Sequence, residues 1–194
     1  MSYLSEVPPD EKTSLIFDKI KAGFGFVPNF FRAQTSRPDF VETEVLLMDT
    51  ILFKDGALTL QQKEYLFLVC SAANLNTYCV TVHCEIVRML SIDGPEPEQV
   101  AVDHAGTNLP LALKALLNFA RKLNDCPTKV GRDDIDALRT YGFSDQQIIE
   151  AVVVVGFAKF TNFVSFGLGT VPDFPPRITL SSDHANGVGA SGSL

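Results

Sequence analysis

Tryptophan is absent from the 194 residues, and histidine and cysteine are scarce, at three and four. Four cysteines cannot staple a disulfide scaffold. His104 and His184 have no partner at ligand spacing. Cys79, His83 and Cys84 are chemically able to hold a soft metal, but Cys84 falls on another helical face and no second pair exists, so neither a metal nor another cofactor is expected. Basic clusters are missing too. The chain has 16 Lys and Arg against 23 Asp and Glu, and the net charge of −7 argues against nucleic acid or an anionic membrane as partner. Tyr65–Ala73, broken by Ser71, and Ala151–Ala158, broken by Gly156, are the longest apolar runs. Both fall well short of the ~17–25 residues of a spanning helix. The start, MSYLSEVPPDEKTS, has no basic cluster or apolar stretch and does not read as a secretory signal, so a reducing, cytoplasmic setting is expected. No dinucleotide-binding glycine pattern accompanies the Phe-rich stretches at 24–31 and 157–166, which read as core or subunit interface.

What is present is helical spacing. At 46% hydrophobic and 20% charged, the chain can bury one sizeable core. Leu15, Ile16, Phe17 and Ile20 open a first amphipathic segment that stops at Gly23 and Gly25. A second helix is predicted over 38–53, ending at Asp55-Gly56. Thr59 with Gln62, and Ser144 with Gln147, are capping boxes that open apolar helices at about 60–73 and 145–166. A helix over 78–90 follows the break at Asn74-Leu75-Asn76. Shorter helices are predicted at 96–105, 110–124 and 133–141, the last closed by Gly142 at its C′ position. The β-branched run Val152–Val155 reads as part of a fully buried helix, because its segment is long and begins with a cap. The fold class is all-α, with one helical domain over 1–180. The stretch 181–194 is rich in Ser, Gly, Ala and Asn and is expected to be a disordered tail.

The stretch EYLFLVCSAANLNTYCVTVHC, residues 64–84, carries the chemistry. Cys79 and His83 are four apart and share a helical face. Asn76 is a favoured N-cap, which puts Cys79 at the third helical position. The positive end of the helix dipole and a nearby imidazole both favour a reactive thiolate, so a thiol pKa below the ~8.5 of free cysteine is expected. Glu64 belongs to the preceding helix. If the two helices pack antiparallel, its carboxylate reaches His83 or Cys79 and relays a proton. Taken singly, each residue also has a plain structural reading: a buried small hydrophobe, an interface histidine, a first-turn carboxylate, a cap.

The pattern resembles the alkylhydroperoxidase D and carboxymuconolactone decarboxylase superfamily, whose motif is Glu, then Cys-x-x-Cys-x-x-x-His. Glu64 falls on the glutamate, Cys79 on the second cysteine and His83 on the histidine, while Asn76 stands where the first cysteine would be. The stretch Gly25-Phe26-Val27-Pro28-Asn29-Phe30-Phe31, Arg37-Pro38, Leu138-Arg139, Gly142-Phe143-Ser144-Asp145, Phe160-Thr161-Asn162 and Gly167-Leu168-Gly169 resemble its peroxidase-related branch. The resemblance covers about Asp10 to Phe174. It implies an all-helical domain in a symmetric homo-oligomer, and a peroxidase that attacks hydroperoxides through Cys79, with His83 as proton partner, Glu64 as orienting relay and Asn76 as cap and hydrogen-bond donor.

With no cysteine at 76, the family's internal disulfide step is missing. Cys84 cannot replace it, since five helical residues rise about 7.5 Å and the side chain points away. Cys70 remains open, and Cys126 beside Pro127 reads as incidental. A one-cysteine peroxidase served by an external thiol is therefore the leading expectation. A decarboxylase-type lyase acting on a small carboxylated ring, and a non-catalytic redox-sensing helical oligomer, are the alternatives. The apolar segments 65–73 and 151–158 suggest that the chain assembles with copies of itself.

Overall fold

The computed structural model describes residues 2–5 and 7–181, and among them the periodicity is realised as helix with no strand. The expected disordered tail, Ser181 apart, and His184 lie outside the described residues. Helix α1 (Glu11–Phe24) starts where the Asp10 carboxylate accepts from Thr13 N and ends at Gly25 in the left-handed region, φ +80. Then come α2 (Asn29–Arg32), α3 (Pro38–Met48), α4 (Leu60–Ala73), α5 (Thr77–Met89), α6 (Pro97–Asp103), α7 (Leu111–Asp125), α8 (Arg132–Thr140) and α9 (Asp145–Leu168). The helix predicted over 38–53 has two parts. After Met48 it widens into a π-helical turn, Asp49–Phe53, closed by Lys54 N donating to Asp49 O at 2.8 Å. Such turns shift the side chains that follow out of α register and are frequent at functional sites.

Helix α4 is the axis of the molecule. Every residue from Lys63 to Ala73 is buried, because α5, α6, α7 and α9 all pack on it. The expectation that segment 65–73 supplies surface for self-assembly is thereby corrected: its apolar residues are consumed inside one chain. The expectation of a fully buried α9 also needs correction. Val154 and Val155 face the core, but Val152 and Val153 are 40% and 43% exposed. Phe160, Phe163 and Phe166 continue that outer stripe. At 24 residues α9 is long and apolar enough to cross a bilayer, which the unbroken-run reading missed. In this fold its inner face is packed against α4, α5 and α7 as a core helix.

The α4–α5 junction takes only three residues. Asn76 N donates to Ser71 O at 2.9 Å and Leu75 N to Ala72 O at 3.0 Å, the paired bonds of a Schellman stop. Leu75 occupies the left-handed position at φ +58, where glycine is the usual choice. Asn76 then caps the next helix, its side chain accepting from Cys79 N at 2.8 Å. One residue therefore ends α4 and begins α5, which fixes Glu64 relative to Cys79 and His83. The two predicted capping boxes and Gly142 at φ +91 are in place as expected.

The α9 helix also holds the entry to α4. The Glu150 carboxylate accepts from Ala57 N at 2.7 Å and Leu58 N at 2.8 Å. A Cβ at Gly56 would lie 2.7 Å from the same carboxylate, so a larger residue there would have to push Glu150 aside. Replacing Glu150 by Ala leaves both amides without their acceptor. We expect a loss of about 1–3 kcal/mol, read as a lower urea midpoint with an unchanged slope.

Candidate active site

The antiparallel packing that would join Glu64 to the Cys79 helix is present, and it chooses His83. Glu64 on α4 has no exposed surface, and its Oε2 lies 2.7 Å from His83 Nδ1 on α5. Phe67, one turn on from Glu64, stacks on the imidazole at 3.7 Å between ring centres and 22° between planes. The ring is thus held at its edge by a carboxylate and on one face by a phenyl group. With Nδ1 donating to Glu64, Nε2 is the nitrogen able to accept a proton. Glu64 Oε1 receives no hydrogen bond among the described residues, so the cost of burying this carboxylate is offset by His83 alone.

Cys79 and His83 line one cavity, of about 60 Å³. Its walls are aromatic. Phe24, Phe26, Phe30 and Phe31 come from the end of α1, the following loop and α2. Leu52 and Phe53 come from the π-helical turn. Phe67 and Phe157 form the inner side, and Phe174 closes over from the segment after α9, edge-on to Phe26 at 5.3 Å. That segment is pinned by Asp173. Its Oδ1 accepts from Asn29 N at 2.9 Å and its Oδ2 from the Tyr78 hydroxyl at 3.0 Å. The same hydroxyl accepts from Phe30 N at 3.0 Å.

Behind Cys79, away from the cavity, is a buried polar network. Asn76 Nδ2 donates to Asn162 O and Ser165 Oγ, and Asn162 Nδ2 donates to Ser71 Oγ. Asn76 does not line the cavity, and both ends of its carboxamide are spent on the scaffold. Its expected role as cap is observed. As a hydrogen-bond donor it serves α9 and not the thiol.

The expectation of a low thiol pKa is corrected. Cys79 is 3% exposed, and burial pushes its thiol up to about 12, against weaker opposing contacts from Ser165, Thr161 and Asn162. Its own backbone N–H, which could have favoured a thiolate, already bonds to Asn76. The Sγ faces Ser165 Oγ at 4.0 Å. Desolvation therefore outweighs the helix-dipole contribution of about 0.3–1 kcal/mol.

The other cysteines do not replace the missing one. Cys70 is wholly buried with its Sγ toward Ala120 O on α7, and burial raises its pKa to about 12. Cys84 is buried, and its thiol is pushed up by burial and by Glu98 of α6. Neither lines the cavity, and all four thiols are free. His104 bonds to Asn118 Oδ1 at 2.8 Å, apart from the site. Among the described residues no three His, Cys, Asp or Glu side chains group as a metal site.

Sequence reasoning missed Glu44, which reaches this cavity from α3. Its signal was available. Val41, Glu44, Val45 and Met48 recur at helical spacing, so a carboxylate interrupts an apolar face.

A thiol with a pKa near 12 is almost wholly protonated at neutral pH. Alkylation of Cys79 by iodoacetamide at pH 7 should be on the order of a hundredfold slower than that of free cysteine, rising with pH past 9. Mass-resolved labelling measures this. A fast reaction levelling off below pH 8 would contradict the burial argument. The linkage has the same sign: with the folded pKa above the unfolded one, this thiol stabilises the fold below about pH 9 and loses that contribution as pH rises toward 12.

No family model matches the chain, and no curated protein matches it. Solved structures do. A peroxidase-related protein of uncharacterised activity from Ralstonia eutropha, described as an alkylhydroperoxidase D core, superimposes with a TM-score of 0.82 at 28% identity, covering 89% of this chain and 92% of that one. A peroxidase-related protein from a Silicibacter species gives 0.81 at 23%, covering 90% and 92%. The debrominase Bmp8, as a cysteine-to-alanine variant in complex with 2,3,4-tribromopyrrole, gives 0.76 at 19%, covering 93% and 98%. The last two likenesses are of fold alone. Together they show that the chain has the alkylhydroperoxidase D fold, and these neighbours are consistent with the resemblance carried by the Glu64–His83 stretch.

Proposed function

We propose that the chain is a thiol-dependent peroxidase working through Cys79 alone. The observation that supports this best is that Cys79 lines the same cavity as a histidine whose Nδ1 is fixed by a buried carboxylate. Because burial holds the thiol protonated at rest, its proton must leave as the peroxide reacts. His83 Nε2 takes the Cys79 proton, and the sulfur attacks the outer oxygen of the hydroperoxide. The O–O bond breaks, an S–O bond forms, and the proton returns from His83 to the departing alkoxide. The products are an alcohol and a Cys79 sulfenic acid. One external thiol condenses with the sulfenic acid to release water and leave a mixed disulfide. A second thiol displaces it, restoring Cys79 and yielding an external disulfide.

The lyase alternative is disfavoured by charge. The lining residues include Glu44 and Glu85 but no Lys or Arg, the reverse of what a carboxylated ring requires. The redox-sensor alternative shares the first step and differs only in lacking turnover. Assembly with further copies belongs to this proposal. Ile149, Val152, Val153, Phe163 and Phe166 of α9, with Leu46 of α3, leave a broad apolar surface exposed.

His83→Ala would strand the buried Glu64, so His83→Gln is the better test, because an amide N–H can replace the imidazole donor. Under a hydroperoxide with excess dithiol, wild type should turn over. His83→Gln should slow Cys79 oxidation by roughly 10²–10⁴-fold, and Cys79→Ser should abolish it. Stoichiometric oxidation without turnover under any thiol would favour the sensor reading, and unchanged rates in His83→Gln would remove its role as base.

The missing cysteine gives a second test. Asn76 and Cys79 occupy the cap and third helical positions, about 5 Å apart from helical geometry, within reach of a disulfide. Asn76→Cys should therefore lose two thiols and two hydrogens by mass after one equivalent of peroxide, with the bond mapped to 76–79. Because it removes the cap and two buried donors, it should also cost about 2–4 kcal/mol. A persistent sulfenic acid beside a reduced thiol at 76 would contradict the geometry.

A further inference from the structure

Glu44 is a polar feature of the cavity that a peroxidase mechanism does not use. It is 6% exposed, yet the structure gives its carboxylate a single described donor, Gln34 Nε2 to Oε2 at 2.7 Å. Glu85, the other acidic lining residue, is neutralised by Arg88 at 3.1 Å and Arg177 at 3.2 Å. Glu44 has no such cation among the described residues. Its Oε1 is absent from the buried polar atoms that lack a partner, which means that it keeps some access to the space around it. That space is the aromatic cavity on one side and the groove between α3 and α9 on the other.

The supports of the two polar groups differ. Glu44 stands on α3, which is held by α1 and runs into the π-helical turn. Cys79 stands on α5, which packs on α4, α6 and α9. The cavity is lined from both sets of helices, with Leu52 and Phe53 of the π-helical turn among its apolar residues. A buried carboxylate with spare acceptor capacity is costly unless a donor arrives. Keeping it on the wall of a mainly aromatic chamber favours a ligand that supplies the donor.

We propose that Glu44 is a specificity-determining residue, which selects an apolar substrate carrying a hydroxyl or N–H group besides the end that reacts at Cys79. The inference rests on this cavity being the substrate site of the proposed peroxidase. The Phe walls take the body, Cys79 and His83 meet the peroxide end, and Glu44 accepts from the donor. Gln34 fixes the carboxylate and leaves Oε1 for the ligand. Hydrogen peroxide and bare alkyl hydroperoxides would then use only part of the site.

Binding tests this without any turnover. The probes are 4-fluorophenol and 4-fluorotoluene, equal in shape and differing in the donor, titrated against the full chain by ¹⁹F NMR. Wild type should bind the phenol about tenfold or more tightly. Glu44→Leu should lose that preference and keep or improve the toluene, with its fold checked by circular dichroism. Glu44→Gln, which preserves an acceptor and the shape, should retain part of it. A phenol preference that survives in Glu44→Leu, equal affinities in wild type, or no binding of either probe would each overturn the proposal. Failure of Cys79 turnover with the phenol preference intact would instead count against the peroxidase reading alone.

Discussion

The contact between Glu64 and His83 is the constraint on which the site depends. A carboxylate with no exposed surface in the central helix is tolerable only with a partner, and the one described partner is the imidazole one helix away. That requirement fixes the register of α4 against α5. The three-residue junction enforces it, with Leu75 in a left-handed conformation and Asn76 both ending one helix and capping the next. The register in turn presents Cys79 and His83 to the same cavity. Stability and reactivity are therefore coupled, since changing either member of the pair leaves a buried polar group behind.

The competition at Cys79 is between solvent exclusion and helix electrostatics, and exclusion wins. The first-turn amide that might have stabilised a thiolate is taken by the cap, while Ser165, Thr161 and Asn162 contribute only weak polar contacts to the sulfur. A thiol kept neutral at rest is protected from adventitious oxidation and alkylation. In the proposed mechanism its activation falls to His83, which lines the same cavity, as the substrate reacts.

Much of the fold was legible because its signals are local. Both capping boxes, the Gly142 stop and the helix over 145–168 follow from residues three or four apart. Glu64, Cys79 and His83 were also legible, since helical spacing and a family resemblance agree on them. The thiol's protonation state was not. It depends on burial contributed by α9, some 80 residues on, which no local pattern encodes. Segment 65–73 was misassigned as spare surface for the same reason: α6, α7 and α9, from farther along the chain, converge on it together with α5. Glu44 and Asp173 escaped notice because each is a single carboxylate whose meaning comes from the cavity, although the interrupted apolar face of α3 offered a clue.

The central claim is that the resting site holds a neutral thiol beside an imidazole whose Nδ1 donates to Glu64 and whose Nε2 is free to take the thiol's proton. Long-range ¹H–¹⁵N NMR of the His83 ring at neutral pH reads this directly when combined with thiolate absorbance in the ultraviolet. The account predicts a protonated Nδ1, an unprotonated Nε2 and no thiolate signal from Cys79. An imidazolium protonated at both nitrogens, with thiolate absorbance that disappears in Cys79→Ser, would show a preformed ion pair and contradict it.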